Sequence, residues 1–237
     1  MKRIFDVLGA LAALIVLSPV LLFVATLIIL DSRGPVFFRQ ERIGRRFRPF
    51  YIYKFRTMVE NASQLGGMIC SGNDPRITRI GRLLRKTKID EFPQLINVLK
   101  GDMSLVGPRP ELWPFVELFY GDYQEILDIR PGITDLASLK YRDEAAILGR
   151  AEHPDQEYIT HVLPDKIRLA KYYVRHSSLV FDLHIILTTL SALFDASDTM
   201  INGTIASLAP ADVVAGIDCQ NSSDRETIIP VLDRFSA

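Results

Sequence analysis

The stretch VLGALAALIVLSPVLLFVATLIIL, residues Val7 to Leu30, decides how the rest of the chain is arranged. Its twenty-four positions carry no charge, and as a helix they reach roughly 36 Å at about 1.5 Å per residue, long enough for a bilayer. The run exceeds the apolar core of a cleaved signal peptide, and polar, Arg-rich sequence follows it. Hydropathy alone fits a single spanning helix equally well. The charges decide against that reading. Lys2 and Arg3 precede the run, while Arg33, Arg39, Arg42, Arg45 and Arg46 follow it, so the bias that keeps positive charge in the cytoplasm applies at both ends. Near the middle, Pro19 lacks a backbone donor and clashes with the preceding turn. The hydroxyl of Ser18 can take up a freed carbonyl, which makes a break tolerable in lipid. These features predict a helix, a break at Ser18-Pro19 and a second helix, entering and leaving on one face as a re-entrant, monotopic anchor.

The remainder of the chain is short. There are 237 residues in all, 48% of them hydrophobic, which suits one catalytic domain once the apolar run is set aside. A formal net charge of zero hides an asymmetry: residues 33–109 hold sixteen Lys or Arg against six acids, and residues 110–237 hold ten against twenty. The first half is built to meet anions. Cys70 and Cys219 lie far apart in sequence and in no metal-ligand spacing, so neither a disulfide framework nor a zinc site is indicated, which fits a reducing compartment.

Two extended runs, VFFRQERIG and PFYIYKFRTM, flank the basic turn RRFRP and predict a hairpin over residues 36–58. Residues 61–75 read as a loop. Ile77, Ile80, Leu83 and Leu84 recur at helical spacing, with Arg79, Arg82 and Lys86 on the other face. A short helix is predicted from Asp90 to Leu99, with Asp90 as its cap, Pro93 in its first turn and Gly101 as its stop. MSLVGPRP (103–110) and RPGITD (130–135) are too rich in Gly and Pro for regular structure. Helices are expected near 111–128, near 155–176 with an interruption at Pro164, and near 178–195. Asp182 and His184 make the last of these a core or interfacial helix rather than a second span. The fold class is α+β, mainly α. Its parts are the membrane helix (1–32), a cytoplasmic domain (33–196) with a short hairpin and several amphipathic helices, and a tail (197–237) without strong periodicity.

Between Arg76 and Lys100 there are seven Lys or Arg and only two acids, Asp90 and Glu91. At a helix N-terminus adjacent acids can flank one site, and cations around them favour the ionised form. Such a carboxylate suits a nucleophile or a Mg²⁺ ligand, since Mg²⁺ takes one or two carboxylates together with substrate phosphates. Lys54, Arg56, Arg85 and Arg109 are the cations expected to neutralise those phosphates.

KRIFD (2–6), Ser18-Pro19, YKFRTM (53–58), DEFPQLINVLKGDMSLVGPRPE (90–111), RPGIT (130–134) and YYVRHSSLVFDLHI (172–185) together resemble the bacterial sugar transferase family, the monotopic phosphoglycosyl transferases that begin membrane glycan assembly. The resemblance implies a two-step transfer at the cytoplasmic face of the bacterial inner membrane. Asp90 would attack the sugar-bearing phosphate of a UDP-sugar and expel UMP, and a polyprenol phosphate, typically undecaprenyl phosphate, would then collect the phosphosugar. Glu91 matches the dyad partner that positions Mg²⁺ or the acceptor. Arg109 matches the Pro-Arg-Pro arginine, Arg85 and Lys54 match further basic positions, and Ser18-Pro19 matches the break of the re-entrant helix. Asp135-Leu136 replaces a common Gly-Trp in a loop that lies near the site in the family, so sugar preference carries over poorly; Ala170 also replaces a common Asp.

The implied partners are the UDP-sugar, the polyprenol phosphate and inner-leaflet lipid, with no nucleic acid; homo-oligomer formation stays open. The rival reading is a membrane-tethered basic module that grips anionic lipid or nucleic acid by charge alone. His153, His161, His176 and His184 show no metal-binding spacing and read as structural. Trp113 and Phe115 suit either core or lipid interface.

Overall fold

A computed structural model describes residues 1–62, 65, 74–193, 198–210 and 213. The predicted loop at 61–75 lies mostly outside the described residues, as do both cysteines and most of the tail. The architecture is mainly helical, with two small two-stranded sheets.

Helix α1, Lys2–Asp31, is one helix with Pro19 inside it, not two helices parted by a break. The reason is local. Pro19 has no amide to give the carbonyl of Ile15, and the Ser18 hydroxyl donates to that oxygen instead, at 2.8 Å. One face of α1 packs on the domain along its whole length. Ala10 meets Ile52, Leu95, Val98 and Met103, while Val24 and Ile28 meet Phe55 and Leu84. Leu8, Leu11, Ile15, Val16, Leu22 and Phe23 point outward and are exposed, so the second apolar stripe has no partner within the described chain.

Both ends of α1 are tied to this domain. Near its start, the buried Asp6 carboxylate accepts from the Ser104 hydroxyl at 2.9 Å and the Leu105 amide at 3.1 Å. Lys2 donates to the buried Asp182 carboxylate and to the Val106 carbonyl. At its other end Asp31 accepts from the Ile80 amide at 3.1 Å, and Arg56 donates to the carbonyls of Ile28, Ser32 and Arg33.

The predicted hairpin is present as β1, Phe37–Ile43, antiparallel to β2, Pro49–Phe55, around a 3₁₀ turn at Arg45–Phe47. Helix α2, Arg79–Thr87, starts where the Thr78 hydroxyl accepts from the Gly81 amide. At Gly81 a Cβ would lie 2.1 Å from the Thr57 carbonyl oxygen, so glycine alone lets α2 approach the chain beyond β2 this closely. The helix expected from Asp90 is shorter: α3 is Gln94–Lys100, ended by Gly101 at φ 95°. Asp90 does not cap it and lies in a separate 3₁₀ turn, Ile89–Glu91.

Two segments read as irregular pair instead. Strand β3, Ser104–Val106, runs parallel to β4, Gly132–Thr134. Between and after them come α4 (Trp113–Leu118), α5 (Tyr120–Ile126), α6 (Leu136–Lys140), α7 (Glu144–Leu148) and α8 (Pro154–Glu157). A π turn at Tyr158–Val162 leads into α9, Leu163–His176, whose first turn accommodates Pro164. Helix α10, Leu179–Leu193, buries Asp182 and Ile185 and exposes Val180, Leu183, Leu187 and Leu190. Phe115 is core, whereas Trp113 is half exposed. The tail contains α11, Asp198–Leu208, and its Ile205 is fully buried beside Leu136, Leu169 and Ile185. The sequence reading missed this helix.

Candidate active site

Four elements meet at the acidic pair. Strand β2 supplies Lys54, the last turn of α2 supplies Arg85, the 3₁₀ turn supplies Asp90 and Glu91, and the segment after β3 supplies Arg109. Lys88 makes the junction between α2 and the acids by adopting the left-handed region at φ 57°, which is uncommon for a side chain with a Cβ. Backbone and side chain both fix Arg109: its amide donates to Asp135 Oδ2 at 3.2 Å and its guanidinium faces Glu91.

Glu91 is clamped. Lys54 Nζ donates to Glu91 Oε1 at 2.7 Å, and Arg109 grips the same carboxylate with both terminal nitrogens, Nη1 to Oε2 at 2.9 Å and Nη2 to Oε1. A bidentate guanidinium–carboxylate pair fixes direction as well as charge. Burial pushes Glu91 up, but Arg109 and Lys54 outweigh it and hold the carboxyl well below the usual carboxylate range. Glu91 in turn raises Arg109, whereas burial draws the Lys54 ammonium down.

Asp90 has the opposite environment. It is buried, and its Oδ1 has no hydrogen-bond partner. Burial first, and then the neighbouring Glu91, push its carboxyl up, against the pull of Lys54, Arg85 and Lys88. The cations favour its charged form as expected, but burial and Glu91 outweigh them, so the net direction is the reverse of the one expected. Lys54 and Arg109 are committed to Glu91, and desolvation outweighs what is left. The result is a buried carboxyl group with Oδ1 left without a hydrogen bond.

A divalent ion would need oxygen donors. Both oxygens of Glu91 are engaged by cations, and no group of three or more His, Cys, Asp or Glu able to hold a metal occurs among the described residues. The orphaned Asp90 Oδ1 fits one position of a Mg²⁺ shell whose remaining ligands come from phosphate and water.

The family model for bacterial sugar transferases matches residues 1–196. The chain belongs to the bacterial sugar transferase family. An Aeromonas hydrophila relative named UDP-N-acetylgalactosamine-undecaprenyl-phosphate N-acetylgalactosaminephosphotransferase is 41% identical over 197 residues, covering 81% of this chain and 43% of its own length. Exopolysaccharide production protein PSS of Rhizobium leguminosarum bv. phaseoli is 41% identical over 199 residues, 80% of this chain and 93% of that protein. Undecaprenyl-phosphate galactose phosphotransferase of Salmonella typhimurium is 35% identical over 204 residues, 80% of this chain and 39% of that protein. The chain thus spans less than half of two of these relatives and nearly all of the third. Their names carry two different sugars.

Of the family positions read from the sequence, Lys54, Asp90, Glu91 and Arg109 assemble into one cluster, and Arg85 reaches its edge by donating from Nε to the Thr57 hydroxyl at 2.9 Å. Arg56 is a correction. Its buried guanidinium is spent on the C-terminal carbonyls of α1 and on the Ser32 hydroxyl, so it anchors the apolar helix instead of meeting phosphate. The basic binding module finds no support, since the inner cations already hold a carboxylate.

Sequence reasoning passed over Arg42, Glu111 and Tyr158. Arg42 donates to the Pro110 carbonyl at 3.2 Å and to Glu111 Oε2 at 3.3 Å, while Glu111 Oε1 accepts from the Tyr158 hydroxyl at 2.9 Å. This buried network braces the segment that carries Arg109. The acid that ends GPRPE was the available signal, a carboxylate two residues after Arg109 in a proline-bound stretch.

Proposed function

We propose that the chain transfers a phosphosugar from a UDP-sugar to a polyprenol phosphate, undecaprenyl phosphate in bacteria, and so primes a membrane glycan such as an exopolysaccharide. The observation that carries this reading is the unpartnered, buried Asp90 Oδ1 beside a Glu91 locked between Lys54 and Arg109, in a chain of the sugar transferase family. One oxygen of the Asp90 carboxylate bonds to the sugar-bearing phosphorus while the bond from that phosphorus to the UMP oxygen breaks, and UMP leaves with the electron pair. An acceptor phosphate oxygen then bonds to the same phosphorus, and the Asp90 carboxylate departs with the pair from its own bond. The nucleophile needs little desolvation at the moment of attack because burial has already removed its water. Glu91 keeps Lys54 and Arg109 charged and aimed, so that their field falls where charge develops on the phosphoryl oxygens. Mg²⁺, held by Asp90 and the donor's phosphates, would supply the remaining neutralisation.

We place the site at the cytoplasmic face of the inner membrane, with α1 dipping into one leaflet. Support comes from α1's two ends, both bonded to the same domain, and from its unpartnered outer stripe. A helix that crossed the bilayer could not return both termini to one side.

Two measurements test the proposal. The purified chain should release UMP from a UDP-sugar only when Mg²⁺ is present, and Asp90→Asn should abolish both UMP and the labelled covalent adduct; full turnover by the Asn variant excludes Asp90 as nucleophile. Cysteines placed before Lys2 and after Arg33 should both react with an impermeant reagent added from the cytoplasmic side, and labelling from opposite sides refutes the one-sided, monotopic anchor.

A further inference from the structure

The outer part of the hairpin carries two partly exposed aromatic rings: Phe37 stacks on the core ring of Phe55 at 5.6 Å, whereas Phe38 belongs to neither the core nor the dyad. Phe38 is paired in register with Lys54, and residues directly opposite one another share a face of the pleat. Lys54 reaches Glu91 from that face, so the Phe38 ring stands on the dyad's side of the sheet. It is 46% exposed. Gln40 and Arg42 come next on the same face of β1, and Arg42 is bonded to Gln40 and Glu111. The row is therefore polar and closed at one end and apolar and open at the other. The open end adjoins a shallow, almost wholly apolar depression lined by Pro35, Val36, Phe37, Phe38 and Arg39, which begins four residues after the end of α1 at Asp31.

We propose that this depression seats the first isoprene units of the acceptor, with Phe38 guiding its phosphate toward Lys54 and Arg109. The inference rests on the transferase reading and adds to it where the apolar substrate lies. A uracil base would need polar partners for its edge as well as a ring face, and Arg39 is the one charged side chain in the lining, whereas a phosphate on an apolar chain needs a hydrocarbon wall beside its cations. Arg39 stacks over Tyr53 at 5.2 Å, which leaves the rest of the depression for hydrocarbon.

The test uses the full chain in detergent micelles and a farnesyl phosphate bearing a photoreactive group on its second isoprene unit. Label should appear in the tryptic peptide 34–39 and be displaced by undecaprenyl phosphate but not by excess phosphatidylglycerol. Phe38→Ala should cut that label about tenfold, the loss expected from removing a partly buried ring contact, and Phe38→Leu should keep most of it. In turnover, Phe38→Ala should raise the KM for acceptor far more than the KM for donor. Displacement by phosphatidylglycerol as readily as by the polyprenol would make the depression a plain lipid contact and overturn the proposal, as would label confined to α1 or α10. Labelling needs no catalysis, so a wild type that labels at 34–39 yet releases no UMP refutes the transferase reading alone.

Discussion

Asp90 and Glu91 are neighbours in sequence with opposite electrostatic fates, and stability should record the difference. Asp90's carboxyl is pushed up by burial and by Glu91, so the folded state binds its proton more tightly than the unfolded state does. Stability is then lost as pH rises from the ordinary carboxylate range through the raised folded value. Asp90→Asn should therefore melt higher than wild type at pH 7 in EDTA, with the gain vanishing near pH 3, where both side chains are neutral; a lower melting temperature at pH 7 would contradict the desolvated carboxylate. Glu91 behaves in reverse. Its carboxyl is held well below the usual range by Arg109 and Lys54 against burial, so its contribution is present at neutral pH and lost as pH falls through that depressed value. Glu91→Gln leaves two partly buried cations facing an amide and should cost about 1.5–3 kcal/mol at pH 7 by chemical denaturation. It should also lower turnover by misaiming both cations. An unchanged denaturation midpoint would mean that the clamp contributes nothing.

At the scale of the element, α1 depends on one hydroxyl. Ser18 gives the Ile15 carbonyl the hydrogen bond that Pro19 cannot, and within lipid an unpartnered carbonyl has no water to turn to. Ser18→Ala should cost about 1–3 kcal/mol, whereas the double variant Ser18→Ala with Pro19→Ala should recover most of it by restoring the amide. Denaturation of the four proteins in one detergent reads the cycle, and a double variant no more stable than Ser18→Ala would refute the compensation. The helix, the hairpin and α2 were legible because each has a local signature: an uncharged run, aromatic-rich extended segments about a basic turn, and apolar residues at helical spacing. Strands β3 and β4 were not. Three residues each, paired in parallel across the intervening α4 and α5, they owe their extension to a distant partner, and Gly and Pro on either side disguise them. The site was legible as a set of residues and less so in its charges. Composition counts cations near Asp90, but the tertiary fold assigns Lys54 and Arg109 to Glu91, sends Arg56 to α1 and strips water from Asp90.

Considered whole, the described molecule packs along one side of its apolar helix through α2, α3 and β3, and parts far away in sequence help to hold that helix. Lys2, near the start, bonds to Asp182 of α10, and Tyr173 of α9 donates to the same carboxylate. Helix α10 is held in turn by α6 and by α11, whose Ile205, with Ala209 just beyond the helix, is buried in the cluster with Leu136, Ile185 and Ala192. The tail is thus connected to the apolar helix through a continuous run of packing. A chain ended after residue 197 would lose the fully buried Ile205 and uncover the α6–α10 seam. Burying a side chain of that size stabilises by about 1.5–3 kcal/mol, so the shortened chain should melt several degrees lower while its catalytic cluster, built from residues 54–109, stays intact. The discriminating measurement sets melting temperature beside UMP release below the lower melt. Lower stability with retained turnover identifies α11 as a brace for the helix anchor, while equal stability would show that Ile205 contributes nothing to the fold.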